Sequence, residues 1–212
     1  MDNLQALLLG IVEGLTEYLP VSSTGHLLLT QRLMGIESSD VSDAFAICIQ
    51  AGAIIAVLGL YRGRVAQMLA GLAGRDPDGK RLAINIVAAF LPAAALGLLL
   101  ERIIKRYLFA GEELGLWPVV AAWLVGGIAI LVVSGMRRKR GRAPASGLSL
   151  DQLTMRMAFI VGAAQCLAMW PGVSRSLVTS GGGVLAGLSL PAAVEFSFLR
   201  GVVTLTAATL YK

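Results

Sequence analysis

Three stretches of the chain, residues 44–61, 83–100 and 118–134, contain no Asp, Glu, Lys or Arg. Each is close to the roughly 20 residues that carry a helix across the hydrocarbon core of a bilayer. A helix that is apolar on every side leaves no face for water, and a soluble domain rarely buries several in succession. The stretches therefore predict an all-α integral membrane protein, a polytopic helical bundle. The composition agrees, with 56% apolar and 15% charged residues, against about 25% charged in soluble domains.

The formal net charge of +5 raises the question of nucleic acid, and the distribution of the charge excludes it. Basic residues gather between the apolar stretches, at Arg62, Arg64, Arg75, Lys80 and Arg81 and again at Arg137, Arg138, Lys139, Arg140 and Arg142. Two spans separate the clusters, so both lie on one side, which the positive-inside rule makes the cytoplasm. The segment from Glu37 to Asp43 carries Glu37, Asp40 and Asp43 with no base and falls on the outer side. The expected partner is a lipid bilayer. Cys48 and Cys166 stand in apolar surroundings and read as small hydrophobes rather than as a disulfide or a metal site. The opening Met-Asp-Asn lacks the basic region of a signal peptide, so the first apolar stretch is expected in the mature protein.

The chain resembles itself. A shift of 152 positions pairs Gly10 with Gly162, Glu13 with Gln165, Ser22 with Ser174, Gly35 with Gly187 and Asp43 with Glu195. Each copy opens with an apolar helix broken by a Pro, Ser and Gly cluster, LPVSSTG at 19–25 and WPGVSRS at 170–176. Pro20 and Pro171 each remove a backbone donor and end the helix before them. Non-helical backbone at membrane depth is tolerated only where it is packed in protein or lines a wet cavity. Two corresponding broken segments point to a binding site where the repeats meet. The expected architecture is a single membrane domain over 1–212 with two facing re-entrant helix–loop–helix units. Repeat 1 covers about 1–136, a cytoplasmic linker about 137–152, and repeat 2 about 153–212. Three intervening spans give the units inverted topology. Residues 101–116 are expected to form an external amphipathic connection.

Polar residues inside these apolar segments carry the chemistry. Glu13 and Glu17 stand at i and i+4 and share a helix face. Each charge in a membrane span costs about 2.5 kcal/mol or more, so the pair needs a cation, a shared proton or water. His26, the one histidine, follows Ser22, Ser23 and Thr24 and offers an acid/base or a metal ligand. Arg175, between Ser174 and Ser176, keeps its charge and requires an anion, either a phosphate or a carboxylate such as Glu195, Glu13 or Glu17. Gly181, Gly182 and Gly183 are expected to let the two units cross closely. Together these groups supply what phosphoryl transfer to water requires, and their setting implies a lipid-tailed substrate.

The segment EGLTEYLPVSSTGHLLL at 13–29 resembles the first signature of the undecaprenyl-diphosphate phosphatase family, also known for bacitracin resistance. PGVSRS at 171–176 is similar to its second signature, and FAICIQAGAIIAV at 45–57, AFLPAAALGLLL at 89–100 and EFSFL at 195–199 match in order. The resemblance implies hydrolysis of undecaprenyl diphosphate to undecaprenyl phosphate and inorganic phosphate, with Mg²⁺ or Ca²⁺ as cofactor and a site open to the exterior. It implies that Glu13 and Glu17 bind the metal and take part in catalysis. Ser23 is then the nucleophile beside Ser22 and Thr24, with His26 handling protons, or His26 attacks directly. Ser174, Arg175 and Ser176 grip the diphosphate. A homodimer is carried as a further expectation.

Two features depart from the family pattern. Leu177 stands where a glycine usually follows the SRS triplet, and Trp170 where a smaller aliphatic usually precedes the proline. Family members also continue for roughly two more membrane helices of about 20 residues each, so the second repeat is expected to be incomplete. The competing function is an inverted-repeat transporter or lipid-phosphate flippase, since broken helices with embedded carboxylates serve carriers as well.

Overall fold

The computed structural model describes residues 1–36, 39–104, 116–139 and 146–211. Residues 37 and 38 of the acidic segment, 105–115 of the external connection and 140–145 of the linker lie outside the described residues. The described residues are almost wholly helical, with no strand among them beyond one isolated bridge between Leu148 and Leu188.

The first unit is α1 (Asn3–Thr16) and α2 (Ser23–Leu33), packed against each other. Asp2 caps α1 in a reciprocal box with Gln5, satisfying two backbone donors that no helical carbonyl reaches. At 14 residues, α1 is too short to cross the hydrocarbon core alone. Next come α3 (Asp40–Leu60) and α4 (Arg62–Leu72), bent by 81° at Tyr61. The connection bearing the first basic cluster thus contains a helix of its own. Then follow α5 (Pro77–Ile104) and α6 (Trp117–Lys139), and the second unit, α7 (Met155–Gln165) and α8 (Arg175–Leu185), before α9 (Leu190–Tyr211). Helices α5, α6 and α9 are long and apolar enough to cross a membrane, and the bent α3–α4 pair adds a fourth candidate.

The units correspond in structure as they do in sequence. Helix α2 and helix α8 begin and end 152 positions apart, as do the starts of α1 and α7. Ser22 and Ser174 both cap their helices through the side chain, accepting from Gly25 and Leu177. Gly35 and Gly187, at the matching exits, both adopt positive φ, 65° and 109°. The C-terminal end of α3 meets the start of α9: Arg64 bonds Glu195 at 2.9 Å, and the rings of Tyr61 and Phe198 lie 6.4 Å apart. Helices α3 and α9 therefore pack antiparallel.

The core lies between α5, α7 and α9, where Ile86, Ala89, Ala158, Val161, Ala193 and Phe196 are buried. Association of apolar helices in lipid rests on close packing rather than on escape from water, and small residues permit it. A Cβ on Gly162 would stand 2.3 Å from the carbonyl oxygen of Ala89, so α5 and α7 touch backbone to backbone. The glycine run at 181–183 acts differently from expectation. Gly182 approaches Ala164 of α7 and Gly183 approaches Ala193 of α9, while Gly181 faces open space. The run packs α8 against its neighbours in the second half; it does not form the crossing between the two units, because α2 approaches α6 there instead.

The linker is shorter than its composition implies. Helix α6 continues to Lys139, and Leu148 is tied to the α8–α9 turn by bonds to Gly187 and Ser189, each 2.9 Å. A 3₁₀ turn at Leu150–Gln152 follows, and Leu150 and Leu153 enter the core. Near it, Arg64 pairs with Asp151 at 2.8 Å as well as with Glu195, and Arg81 pairs with Asp78 at 3.0 Å. Helix α6 remains thinly covered, and Leu124, Val125, Ile128 and Leu131 are exposed as a lipid-facing side must be.

Candidate active site

The two broken segments meet at their loops. Helix α1 ends at Thr16, and Glu17 caps it with helical backbone, its N–H bonded to the Glu13 carbonyl at 2.9 Å. Glu13 and Glu17 thus share the face that their spacing predicts. The chain then turns through Leu19–Val21 to Ser22, which has φ 67° and is the one non-glycine residue with positive φ among those described. Such backbone costs about 1–3 kcal/mol and persists only where the surroundings enforce it. The turn buries Ser22 and Ser23 against the end of α1, whereas Thr24 is exposed on the other side of the first turn of α2.

Ser23 donates a short hydrogen bond to Glu17 Oε2, and Glu17 Oε1 receives Arg175 Nη2 from the second unit at 3.3 Å. Of the three carboxylates open to Arg175 from the sequence, Glu17 is the one it pairs with; Glu195 belongs to Arg64. Ser176 donates to the carbonyl of Leu19 at 3.0 Å, a second link between the loops, and lies 2.9 Å from Ser174. Thr179 holds the start of α8, donating to the Arg175 carbonyl at 2.7 Å and lying 2.5 Å from the Ser197 hydroxyl of α9. A cavity of about 30 Å³ opens among Glu17, Tyr18, Arg175, Ser176, Ser197 and Gly201.

His26 is oriented from two sides. Its Nδ1 lies 2.8 Å from the Ser22 carbonyl, which only accepts, so Nδ1 carries a proton and Nε2 is the nitrogen left to exchange one. The ring lies against Trp123 of α6, centroids 4.7 Å apart. Gly25 makes room for that indole, since a Cβ there would stand 2.9 Å from it.

Two buried groups lack a hydrogen bond of ordinary geometry among the described residues. Glu13 is 1% exposed, and no hydrogen bond of ordinary geometry reaches either carboxylate oxygen, although Ser23, Glu17 and Arg175 all lie close enough to act on it. Arg200 of α9 is 0% exposed, and all three of its nitrogens are unpaired. Gln165, the repeat counterpart of Glu13, is also buried with a free Oε1. Native structures leave few buried polar atoms unsatisfied, and charged ones at membrane depth cost about 2.5–3.5 kcal/mol each even on the lenient scale. Arg200, Trp123, Thr179 and Ser197 escaped the sequence reading. For Arg200 there was a signal, since it is the one cation of helix α9.

The described residues contain no group of three or more His, Cys, Asp or Glu placed to hold a metal. The two unbonded oxygens of Glu13, with Glu17 one turn away, still fit a hard divalent cation. Magnesium in particular is held through one or two carboxylates with water and substrate phosphates completing the shell.

Fold and site together define a class: a polytopic helical membrane protein whose polar site joins carboxylates, a hydroxyl, an imidazole and an arginine. The family model of the bacitracin resistance protein BacA matches residues 6–212, and the chain belongs to that family. It is similar to the undecaprenyl-diphosphatase of Sorangium cellulosum (strain So ce56), 46% identical over 97% of this chain and 64% of the relative. Undecaprenyl-diphosphatase 2 of Rhodospirillum rubrum is 44% identical over 98% of this chain and 72% of the relative. The undecaprenyl-diphosphatase of Nitrosomonas europaea is 47% identical over 98% and 71% respectively. The chain thus spans roughly two thirds of the length of these relatives.

Both departures from the family motifs have a structural counterpart in α6. Leu177 Cδ2 would stand 3.4 Å from a Cβ at Gly126, and Trp170 Nε1 donates to the Pro118 carbonyl at 3.1 Å. Gly172 adds backbone contact with Val119. The second loop is fastened to α6 by larger side chains than the motif usually carries.

Proposed function

We propose that the chain hydrolyses undecaprenyl diphosphate to undecaprenyl phosphate and inorganic phosphate at the Glu13, Glu17, Ser23, His26 and Arg175 constellation, as a membrane enzyme of lipid-carrier recycling and bacitracin resistance. Family membership favours hydrolase over carrier. The observation that carries the assignment of roles is the relay Ser23–Glu17–Arg175: a hydroxyl bonded to a carboxylate that is fixed by a guanidinium from the opposite unit. A serine is a weak nucleophile until a base takes its proton, and Glu17 stands where that proton points.

Ser23 Oγ attacks the terminal phosphorus as its proton passes to Glu17. The phosphoanhydride bond breaks, undecaprenyl phosphate leaves, and the phosphoryl group rests on Ser23. Water then attacks that phosphorus, the Ser–O–P bond breaks, and the serine recovers a proton from Glu17. Inorganic phosphate departs. His26 accepts the proton of the attacking water at Nε2 and releases it to solvent or to the departing phosphate. Arg175, with the hydroxyls of Ser174 and Ser176, holds the phosphate oxygens; Ser22 shapes the turn, and Thr24 stands at its outer edge. Glu13 and Glu17 would hold Mg²⁺ or Ca²⁺, which when bound neutralises charge on the diphosphate.

The orientation follows from charge. The basic residues of α4 and of the start of α5, with Arg138 and Lys139 at the end of α6, mark the cytoplasmic side by the positive-inside rule. Pro118, Val119 and Trp123, which meet the loops, lie near the opposite end of α6, and this supports a site facing the exterior of the inner membrane. The internal repeat, with α3 and α9 antiparallel, supports two inverted units.

The test is phosphate release from undecaprenyl diphosphate by purified protein in detergent, with and without Mg²⁺ or Ca²⁺. Ser23→Ala and Arg175→Ala are expected to abolish release, and acid-quenched wild-type enzyme should yield a phosphorylated peptide containing Ser23. Release undiminished in Ser23→Ala, with phosphate found on His26, would assign the attack to the imidazole.

A further inference from the structure

We infer that Arg200 is an anion-binding residue of this site, supplying a second positive charge against which the diphosphate is held. The inference rests on the proposed reaction for its ligand, and on the structure for its site. Arg200 is fully buried, and Nε, Nη1 and Nη2 have no partner among the described residues. A guanidinium keeps its proton in proteins, so this one requires an anion.

Its neighbours on α9 border the cavity, behind whose lining Arg200 lies. Ser197, three residues earlier on α9, lines the cavity and contacts Thr179, whose hydroxyl bonds the Arg175 carbonyl. Gly201, the next residue, lines it too. Arg175 is near enough for its charge to act on Arg200, so two like charges sit together in apolar surroundings. Glu17 answers only Arg175. The groups left without a hydrogen bond of ordinary geometry are the Glu13 carboxyl and the Arg200 guanidinium, and they are not bonded to each other. A diphosphate accompanied by a divalent cation answers both, the cation on the carboxylate side and the phosphate oxygens on the arginine side. Phosphate oxygens suit the planar fork of arginine better than the point charge of lysine.

The experiment uses the full chain in detergent and methylenediphosphonate, whose P–C–P link resists hydrolysis, titrated with Mg²⁺ present while thermal unfolding is followed. The diphosphonate is expected to stabilise the wild type. Arg200→Leu should weaken its binding about 10- to 100-fold, the usual range for losing charge-assisted hydrogen bonds, and Arg200→Lys by less. Free Arg200→Leu should melt at or above the wild-type temperature, because an unanswered buried charge has been removed. Undiminished diphosphonate affinity in Arg200→Leu overturns the inference, as does a wild type that the diphosphonate fails to stabilise. So does a pair of variants that both melt early yet bind normally, since that outcome makes Arg200 structural. Should Arg200→Leu fail to fold, the affinity of Arg200→Lys decides on the same terms. The two readings fail separately. Arg200-dependent diphosphonate binding without phosphate release from undecaprenyl diphosphate sinks the hydrolase and keeps the anion site. Hydrolysis with KM and diphosphonate affinity unchanged in Arg200→Leu does the reverse.

Discussion

Ser22 bears the conformational cost of the first loop, and it does so with two compensations: its side chain caps α2 and its carbonyl orients His26. Glycine adopts positive φ without steric cost, while alanine keeps the strain and loses the cap. Ser22→Gly is therefore expected to unfold at a higher temperature than Ser22→Ala, by the equivalent of about 1 kcal/mol. The reverse order in detergent melts would mean that the backbone at 22 is not left-handed. Glu13 makes the opposite case, a side chain whose surroundings leave it unsatisfied. Glu13→Gln should keep or raise the stability of the free protein, since removing a lone buried charge relieves its desolvation. The same change should erase the stabilisation that Mg²⁺ gives the wild type, read as the difference in melting temperature with and without cation. Polar residues were legible because each stands out in an apolar run: Glu13, Glu17, His26 and Arg175 announce themselves. Their pairing was not. Whether Arg175 meets Glu17 or Glu195 depends on where α4 carries Arg64, and no local pattern records that.

The long helices were legible at the element scale for the same reason, since uninterrupted apolar length has few other uses. The breaks at Pro20 and Pro171 marked the loops, and the 152-residue correspondence marked the units. Helix α4 was hidden because its arginines read as a connection between spans, although Gly59 and Gly63 flank the 81° turn at Tyr61 and the helix packs on α5. Glycines illustrate the limit of reading elements from composition. Gly162 and Gly181 both interrupt apolar helices, yet a Cβ meets the Ala89 carbonyl at 2.3 Å in the first case and nothing within 4 Å in the second. Gly162→Ala is expected to lose about 1–3 kcal/mol by forcing α5 and α7 apart. Gly181→Ala should instead gain about 0.5–1 kcal/mol through helix propensity. Thermal or denaturant unfolding of the two variants checks the pair, and equal effects would contradict the packing of α7 on α5.

At the scale of the whole molecule, the site exists only because two separately encoded units face each other. Among the described residues, ionic contacts join parts distant in sequence at Arg64, which meets Asp151 and Glu195, and at Arg175, which meets Glu17, and their surroundings give them different weights. Arg64 with Asp151 joins α4 to the 3₁₀ turn, with side chains 27% and 58% exposed; Glu17 with Arg175 joins the units, with 11% and 25%. Water and salt screen the first pair, so its coupling should stay below about 1 kcal/mol and fade further in concentrated salt. The second pair is less exposed, so a broken partner leaves a charge with little water to answer it. Its coupling is expected at about 1–3 kcal/mol and nearly independent of salt. Double-mutant cycles with Arg64→Gln and Asp151→Asn, and with Glu17→Gln and Arg175→Gln, measure both by thermal unfolding at low and high salt. Ser23 continues to donate to residue 17 when it is glutamine, so the second cycle isolates the link between units from the link within one. A salt-sensitive, weak coupling for Glu17 and Arg175 would place the two loops in open solvent, and the closed relay from Ser23 to Arg175 would then be lost with it.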